Sequence, residues 1–159
     1  MRTITATVPV NEPVDEPGRT EQVRLDRDEV WAGLLDKAQN AVPYVPGMQE
    51  CTVVERGPEG LVREVVIHGE RVREEVTFHP KRRVTFSRDD ERATWLIHND
   101  IGEDETGLTL TFSATMDLAE GEEGDHQAER VREGYLEALR TTLARTRENV
   151  AAGRALITR

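Results

Sequence analysis

The stretch DHQAERVREGYLEALRTTLARTRENVAAG, residues 125–153, is the part of this sequence that decides the fold. At the helical step of about 100° per residue, its apolar and small residues gather on one side and its charged residues on the other. The pattern predicts an amphipathic helix roughly 40 Å long at about 1.5 Å per residue, with Asp125 as its N-cap. Its inner side is formed by Ala128, Val131, Tyr135, Ala138, Leu139, Thr142, Leu143, Thr146 and Val150.

That inner side carries little bulk. Ala138, Thr142 and Thr146 are small or hydroxylated, and Tyr135 ends in a polar group. A helix that plugs a solid core is expected to carry larger apolar side chains. Two interpretations follow: either the helix lies across a curved sheet and leaves a cavity, or its small residues allow the sheet and the helix to approach closely.

Composition limits the classes of protein that fit. A chain of 159 residues fits one domain that buries about two thirds of its unfolded surface. We therefore predict a single domain over residues 1–159, with a loop insertion at 11–20 and a frayed tail at 154–159. A net charge of −10 and a pI near 4.9 weigh against nucleic-acid binding, which needs clustered cations. A single cysteine, Cys51, excludes an intramolecular disulfide and a cysteine metal site.

The expected location is the cytoplasm. The N-terminus lacks the apolar run of a signal peptide, and no segment approaches the roughly 18 apolar residues of a membrane span, so no membrane insertion is expected. Nineteen arginines against two lysines, Lys37 and Lys81, indicate a GC-rich genome and a bacterial source. No extended apolar surface stands out, which predicts a monomer or a weak homodimer.

Before the terminal helix, the periodicity predicts one strand, one helix and six further strands. Thr3 to Val10 alternates as a strand, and a helix with a capping box of Asp26 and Glu29 runs to Asn40. Prolines in the segment 41–47 leave room for at most one helical turn. The later strands are predicted at 49–56, 61–68, 71–79, 83–88, 93–102 and 108–118, with turns between them.

This order predicts an α+β protein in which one antiparallel sheet has a single buried face, covered by the last helix. It is similar to the helix-grip fold of the Bet v 1 and START (SRPBCC) superfamily. Several segments between Ile4 and about Leu143 resemble its AtaL-like subfamily, and these are LDRDEVWAGL at 25–34, VPYVPGM at 42–48, CTVVER at 51–56, REV at 63–65 and VTF at 76–78. The resemblance implies a curved seven-stranded sheet wrapped around the terminal helix, one or two short helices after the first strand, and a cavity.

Three functions agree with that resemblance, since superfamily members bind lipids, hormones or polyketides, act as cyclases or aromatases, or contact proteins. The favoured one is binding of a small hydrophobic or aromatic molecule. The second is a cofactor-independent polyketide cyclase or aromatase of secondary metabolism. The third is a protein-interaction module with a vestigial cavity. No catalytic motif of the subfamily carries over to these residues.

The predicted cavity wall combines the inward residues of the strands with those of the terminal helix. A largely apolar wall with few polar groups favours a hydrophobic ligand held by one or two hydrogen bonds. Val72, Val84 and Met116 belong to this wall. The ligand-binding candidates are Trp31, Tyr44, Arg63, Val76, Phe78, Phe86, Asn99, Leu110, Phe112, Ala114, Tyr135, Leu139 and Thr142.

Three residues are candidates for proton transfer: Glu74, His98 and Tyr135. Burial would raise the pKa of Glu74, as a general base or acid requires, unless Arg63 pairs with it and keeps it ionised. The alternatives are a structural ion pair at Glu74 and a surface position for His98, since only one of His98 and Asn99 faces the helix. Scattered histidines and the lack of a glycine-rich phosphate loop predict neither a metal nor a cofactor.

Overall fold

A computed structural model describes residues 2–11, 23–89, 94–116 and 120–153. The tail at 154–159 and most of the predicted loop at 11–20 lie outside these ranges. The elements in chain order are β1 (Arg2–Pro9), α1 (Arg27–Gln39), β2 (Met48–Arg56), β3 (Gly60–Ile67), β4 (Glu70–His79), β5 (Arg83–Asp89), β6 (Thr94–Asp104), β7 (Gly107–Met116) and α2 (Gly121–Ala151).

All seven strands form one antiparallel sheet in the order β1-β7-β6-β5-β4-β3-β2. Strands β2 to β7 are neighbours in the sheet in the order in which they follow each other in the chain, whereas β1 pairs with the last strand, β7. Alternate residues along β4 and β7 are buried, as a sheet with one covered face requires. The predicted architecture is confirmed, and among the described residues between the first and second strands there is one helix, α1. Among the described residues, no helix has the length and apolarity needed to cross a membrane.

The start of α1 is confirmed and that of α2 is corrected. The Asp26 carboxylate accepts from the Glu29 amide and the Glu29 side chain accepts from the Asp26 amide, which is the predicted capping box. The terminal helix begins at Gly121, so the prediction of Asp125 as its N-cap is wrong. Gly121 takes a left-handed φ of 73° at the first position of the helix. The Asp125 carboxylate instead pairs with Arg2 of β1 at 2.5 Å.

The segment between α1 and β2 makes a single turn, as its prolines predict. The amides of Tyr44 and Val45 both donate to the carbonyl of Ala41, and the Met48 amide donates to the carbonyl of Val45. Tyr44 is buried, and its hydroxyl donates to Asp36 of α1 and accepts from Asn149 of α2. The segment is therefore fastened to both helices.

The core lies between the sheet and the two helices. At one end of the sheet, the Trp31 ring of α1 meets Phe78 edge to face, with ring centroids 6.2 Å apart. The two helices come very close there, because a Cβ added at Gly33 of α1 would lie 2.2 Å from the Thr146 hydroxyl of α2. We call this end of the sheet the packed end, because its described side chains are in close contact.

Candidate functional site

A cavity of about 470 Å³ opens between the other end of the sheet and α2. Side chains of the sheet form one side of it, α2 forms the opposite side, and the end of α1 with the proline segment forms its border. The cavity is lined by Lys37, Val45, Pro46, Met48, Arg63, Ile67, His68, Glu70, Val72, Glu74, Phe86, Arg88, Trp95, Ile97, Asn99, Val131, Gly134, Tyr135 and Ala138. We call this the open end of the sheet.

A row of four inward residues crosses the sheet at the open end. Arg63 of β3 stands opposite Glu74 of β4, Glu74 opposite Arg88 of β5, and Arg88 opposite Trp95 of β6. We call these four residues the charged row. Arg88 also lies over the Trp95 ring, 5.3 Å from its centroid. Directly opposed residues of antiparallel strands have close Cβ atoms, so the register alone brings these groups together.

Glu74 is ionised at neutral pH. Its carboxylate accepts from Arg63 Nε at 2.9 Å and from Arg88 Nε at 2.5 Å, while only 1% of the side chain is exposed. Burial by itself would raise the pKa of Glu74, but the two guanidinium groups outweigh burial and hold the pKa below its ordinary value. A carboxylate with a lowered pKa is a poor proton acceptor near pH 7. The ion-pair interpretation of Glu74 therefore fits its surroundings better than the general-base interpretation.

Arg63 joins the charged row to α1. Its Nη1 donates to the carbonyl oxygens of Lys37 and Ala38, each at 3.1 Å, in the last turn of the helix. Those carbonyls lack partners within α1, and a cation at a helix C-terminus is also favoured by the helix dipole. Its Nε and Nη2 are engaged by Glu74. Arg63 therefore holds the border of the cavity in place.

Lys37 brings an amine into the cavity. Its Nζ donates to Asn99 Oδ1 at 2.9 Å and lies 5.6 Å from the centroid of the Phe86 ring, with 6% of the residue exposed. Burial, helped by the charge of Arg63 and opposed by that of Glu74, lowers the pKa of Lys37 to about 7. A substantial fraction of this amine is neutral at physiological pH.

Tyr135 faces the charged row from α2. Its ring stacks on Phe112 with centroids 4.1 Å apart and planes 12° from parallel. Burial raises the pKa of Tyr135 to about 12, with Arg88 opposing and Glu74 supporting the shift. The group therefore stays a phenol at neutral pH and presents a hydrogen-bond donor beside the cavity.

Four of the predicted ligand-binding residues, Arg63, Phe86, Asn99 and Tyr135, line the cavity, together with Glu74 from the catalytic candidates. The others pack against each other or against α1, so the open space is shorter than the predicted wall. Trp31, Tyr44, Val76, Phe78, Leu110, Phe112, Ala114, Leu139 and Thr142 are buried away from the cavity lining.

His98 does not belong to the cavity. Its neighbour Asn99 takes the inward position, 2% exposed, and alternation along β6 places His98 on the other face of the sheet. There its Nδ1 is 2.9 Å from the Thr85 hydroxyl. Within the described ranges, no three His, Cys, Asp or Glu side chains are grouped as metal ligands.

Lys37, Arg88 and Trp95 are the main cavity residues that sequence reasoning missed. Lys37 follows Val30 and Leu34 at the i, i+4, i+7 spacing of the apolar face of α1, which is a readable signal. Arg88 is two residues after Phe86 and therefore shares its inward face. Trp95 shares the alternate positions of Ile97 and Ile101 in the predicted strand 93–102, which was also a readable signal.

The fold and the cavity together define the class of protein. A seven-stranded antiparallel sheet wrapped against a long C-terminal helix is the helix-grip architecture of the Bet v 1 and START-like proteins. Within that class, the chain belongs to the AtaL family, whose model, described as acetylaranotin biosynthesis cluster protein L, matches residues 7–153. No functionally curated sequence matches it.

Solved structures with the same fold are distant in sequence. The ZhuI aromatase/cyclase from Streptomyces sp. R1128 is 18% identical with a TM-score of 0.65, and the match covers 97% of this chain and 99% of that one. TTHA0849 from Thermus thermophilus is 16% identical with a TM-score of 0.61, covering 97% of this chain and 100% of that one. Ara h 8.0201 is 11% identical with a TM-score of 0.59, covering 91% and 97%. At such identities the likeness concerns the fold alone.

Proposed function

We propose that this protein binds a small hydrophobic or aromatic molecule in the cavity at the open end. The observation that carries the proposal is a cavity of about 470 Å³, which lies within the range of roughly 300–1,000 Å³ typical of small-molecule sites. Apolar and aromatic side chains form most of its wall. A few polar groups stand among them, and this combination is what orients an otherwise hydrophobic ligand.

The polar groups divide into supporting and ligand-facing ones. Arg63 and Glu74 use their hydrogen-bonding groups on each other and on the carbonyls that end α1, so we assign them a supporting role. Lys37, Asn99 and Tyr135 are assigned to the ligand. The flat faces of Phe86 and Trp95 then provide the contacts for an aromatic ring.

The proposal is tested by titration with a neutral aromatic quencher, 4-nitroanisole, while tryptophan fluorescence is followed. Trp95 lines the cavity and Trp31 lies in the packed end, so quenching is expected to saturate through Trp95. Trp31→Phe should keep the saturable signal and Trp95→Phe should lose it. Calorimetry on the Trp95→Phe protein separates loss of signal from loss of binding.

The contrary result is quenching that stays linear in probe concentration, with no heat of binding, for 4-nitroanisole and for larger aromatic compounds alike. That outcome would overturn the binding proposal. It would favour the third function, a protein-interaction module with a vestigial cavity.

A second candidate function is a cofactor-independent cyclase or aromatase acting on a polyketide-like substrate. Tyr135 supports it, because a phenol that stays protonated beside an apolar cavity can donate to a substrate carbonyl. A poly-β-ketone thioester is the test substrate. Tyr135→Phe should slow product formation by about a hundredfold, a larger loss than it causes in calorimetric affinity, and an absence of turnover in the native protein would leave binding as the function.

A further inference from the structure

Lys37 differs in chemistry from the other basic side chains of this protein. The chain has 19 arginines and two lysines, and the guanidinium group of arginine does not lose its proton in proteins. The second lysine, Lys81, is exposed and pairs with Asp28 at 2.9 Å. Lys37 is therefore the one side-chain amine that lines the cavity within the described ranges.

Charged and polar groups from five other elements line the cavity with Lys37, and they are Arg63 of β3, Glu74 of β4, Arg88 of β5, Asn99 of β6 and Tyr135 of α2. His68 and Glu70 lie on the cavity wall at the turn between β3 and β4. Arg63 disfavours the ammonium form and Glu74 favours it, while burial has the largest effect and disfavours it.

The hydrogen bond to Asn99 also orients the amine of Lys37. Nζ donates to Asn99 Oδ1 at 2.9 Å, and an amide oxygen can accept a hydrogen bond but cannot donate one. When the amine is neutral, its lone pair therefore points away from Asn99 Oδ1. Phe86 lies beside Nζ at 5.6 Å, so a ring stacked near Phe86 brings its substituents close to the amine.

We propose that Lys37 forms an imine with an aldehyde or ketone group of the ligand. This inference deepens the proposed function and rests on it. Nζ attacks the carbonyl carbon, a C–N bond forms, and the π electron pair of the carbonyl moves to oxygen. Proton transfer from nitrogen to oxygen gives a carbinolamine, which loses its hydroxyl with a proton as water and leaves a C=N bond. The balance is amine plus carbonyl giving imine plus water, and no oxidant or reductant takes part.

The lowered pKa of Lys37 supports this chemistry. At pH 7 an amine with a pKa of about 7 is neutral in about half of the molecules, whereas an ordinary lysine with a pKa of about 10.4 is neutral in fewer than about one in a thousand. Desolvation beside another cation is a recognised way to activate a lysine as a nucleophile. The expected selectivity for Lys37 over an ordinary lysine is therefore about a hundredfold or more.

The test is reductive trapping of the native protein with 2-naphthaldehyde and sodium cyanoborohydride at pH 7, followed by peptide mass mapping. Cyanoborohydride reduces an imine to a stable secondary amine, so each labelled site gains mass. Lys37 should label at least about a hundredfold faster than Lys81. The α-amino group, with an ordinary pKa of about 7.7–8.0, serves as the internal reference. Lys37→Arg should abolish this fast label, and Lys81→Arg should leave it intact.

Competition between the aldehyde and an unreactive analogue tests the proposal on the native protein, without relying on the folding of the variants. 2-Naphthalenemethanol has the same ring but no carbonyl, so it should slow labelling of Lys37 without affecting Lys81 or the α-amino group. Saturable quenching of Trp95 by the aldehyde without reductant, combined with labelling of Lys37 no faster than that of Lys81, would overturn the imine and leave the binding function standing. If 4-nitroanisole, the aldehyde and the alcohol all fail to bind, the proposed function fails and the imine fails with it.

Discussion

The same helix, α2, covers the packed end and the open end of the sheet. Its small residues allow close packing at the first end and border open space at the second. At the packed end, Gly33 and Thr146 bring α1 and α2 together so closely that a Cβ on Gly33 would lie 2.2 Å from the Thr146 hydroxyl. At the open end, Gly134 lies exposed at the cavity wall, and a Cβ there would meet no atom within 4 Å outside its own stretch of helix. Small residues on a helix therefore indicate close packing or open space, and only the partner element decides which.

The two ends also differ in polarity. The packed end joins apolar side chains such as Trp31 and Phe78, whereas at the open end the charged row buries Arg63 and Glu74 and leaves the Arg88 side chain 12% exposed. Buried charges cost several kcal/mol each unless they are paired. The open end is thus maintained by ion pairs and the packed end by apolar contact, and the predictions below test that difference.

The largest expected effect is at the charged row. Glu74→Gln should lower the free energy of unfolding by about 3–5 kcal/mol, because it leaves Arg63 and Arg88 in the sheet interior without their carboxylate. Urea denaturation measures the change. The matched control is Glu75→Gln, the next residue of β4, which is exposed on the other face and should change stability by less than about 0.5 kcal/mol. Equal losses for the two variants would contradict this account.

The same ion pairs predict an acid dependence. The pKa of Glu74 is lowered on folding, so its stabilising contribution is complete above the unfolded pKa of about 4.3 and is lost as the pH falls through the lower folded pKa. The stability difference between the native protein and Glu74→Gln should therefore shrink in acid, below about pH 4.3. Denaturation at a series of pH values measures it, and a difference that grows in acid would refute the assignment.

An intermediate effect is expected at the packed end. Gly33→Ala should destabilise the fold by about 1–3 kcal/mol, because the new methyl group has no space beside Thr146. The double variant Gly33→Ala with Thr146→Ala should recover most of that loss, since it removes the atoms that clash. Thermal denaturation compares the single and double variants, and a double variant no better than Gly33→Ala would show that the cost arises elsewhere.

The smallest effect should have the opposite sign. Gly134→Ala places a methyl group into space at the open end, while alanine is favoured over glycine within a helix by about 1 kcal/mol. The melting temperature should rise by about 2–4 °C for a chain of this size. A fall as large as that of Gly33→Ala would mean that α2 lies much closer to the sheet at this end.

Sequence reasoning predicted the fold well because it depended on periodicity. The alternation in β7 and the capping box at Asp26 are local signals. The first is sufficient to predict the strand, and the second is sufficient to predict where α1 begins. The start of α2 escaped it because Asp125 had a competing partner, Arg2, more than a hundred residues away in sequence. Such a long-range ion pair leaves no trace in the local pattern.

The site was predicted only in part, for a different reason. Inward direction could be read for Arg63, Glu74 and Phe86 from alternation alone, and these residues do line the cavity. Which inward residues face space and which face α1 depends on where α1 crosses the sheet. The tight contact of Gly33 with Thr146 sets that crossing, and nothing in the strands encodes it. Leu110 and Phe112 are therefore inward, as predicted, yet packed.

The proline segment at the border of the cavity has a consequence for the entropy of binding. Pro43 and Pro46 restrict the backbone in the unfolded and folded states alike, and Tyr44 fastens the turn to Asp36 and Asn149. Val45 and Pro46, which touch the cavity, are thus held in place before any ligand arrives. Ordering of flexible side chains and loops commonly costs about 0.5–1.5 kcal/mol per immobilised group. At this border the cost is met during folding, so for the ligand binding proposed above, little of the free energy of contact with Val45 and Pro46 would be spent on ordering the protein.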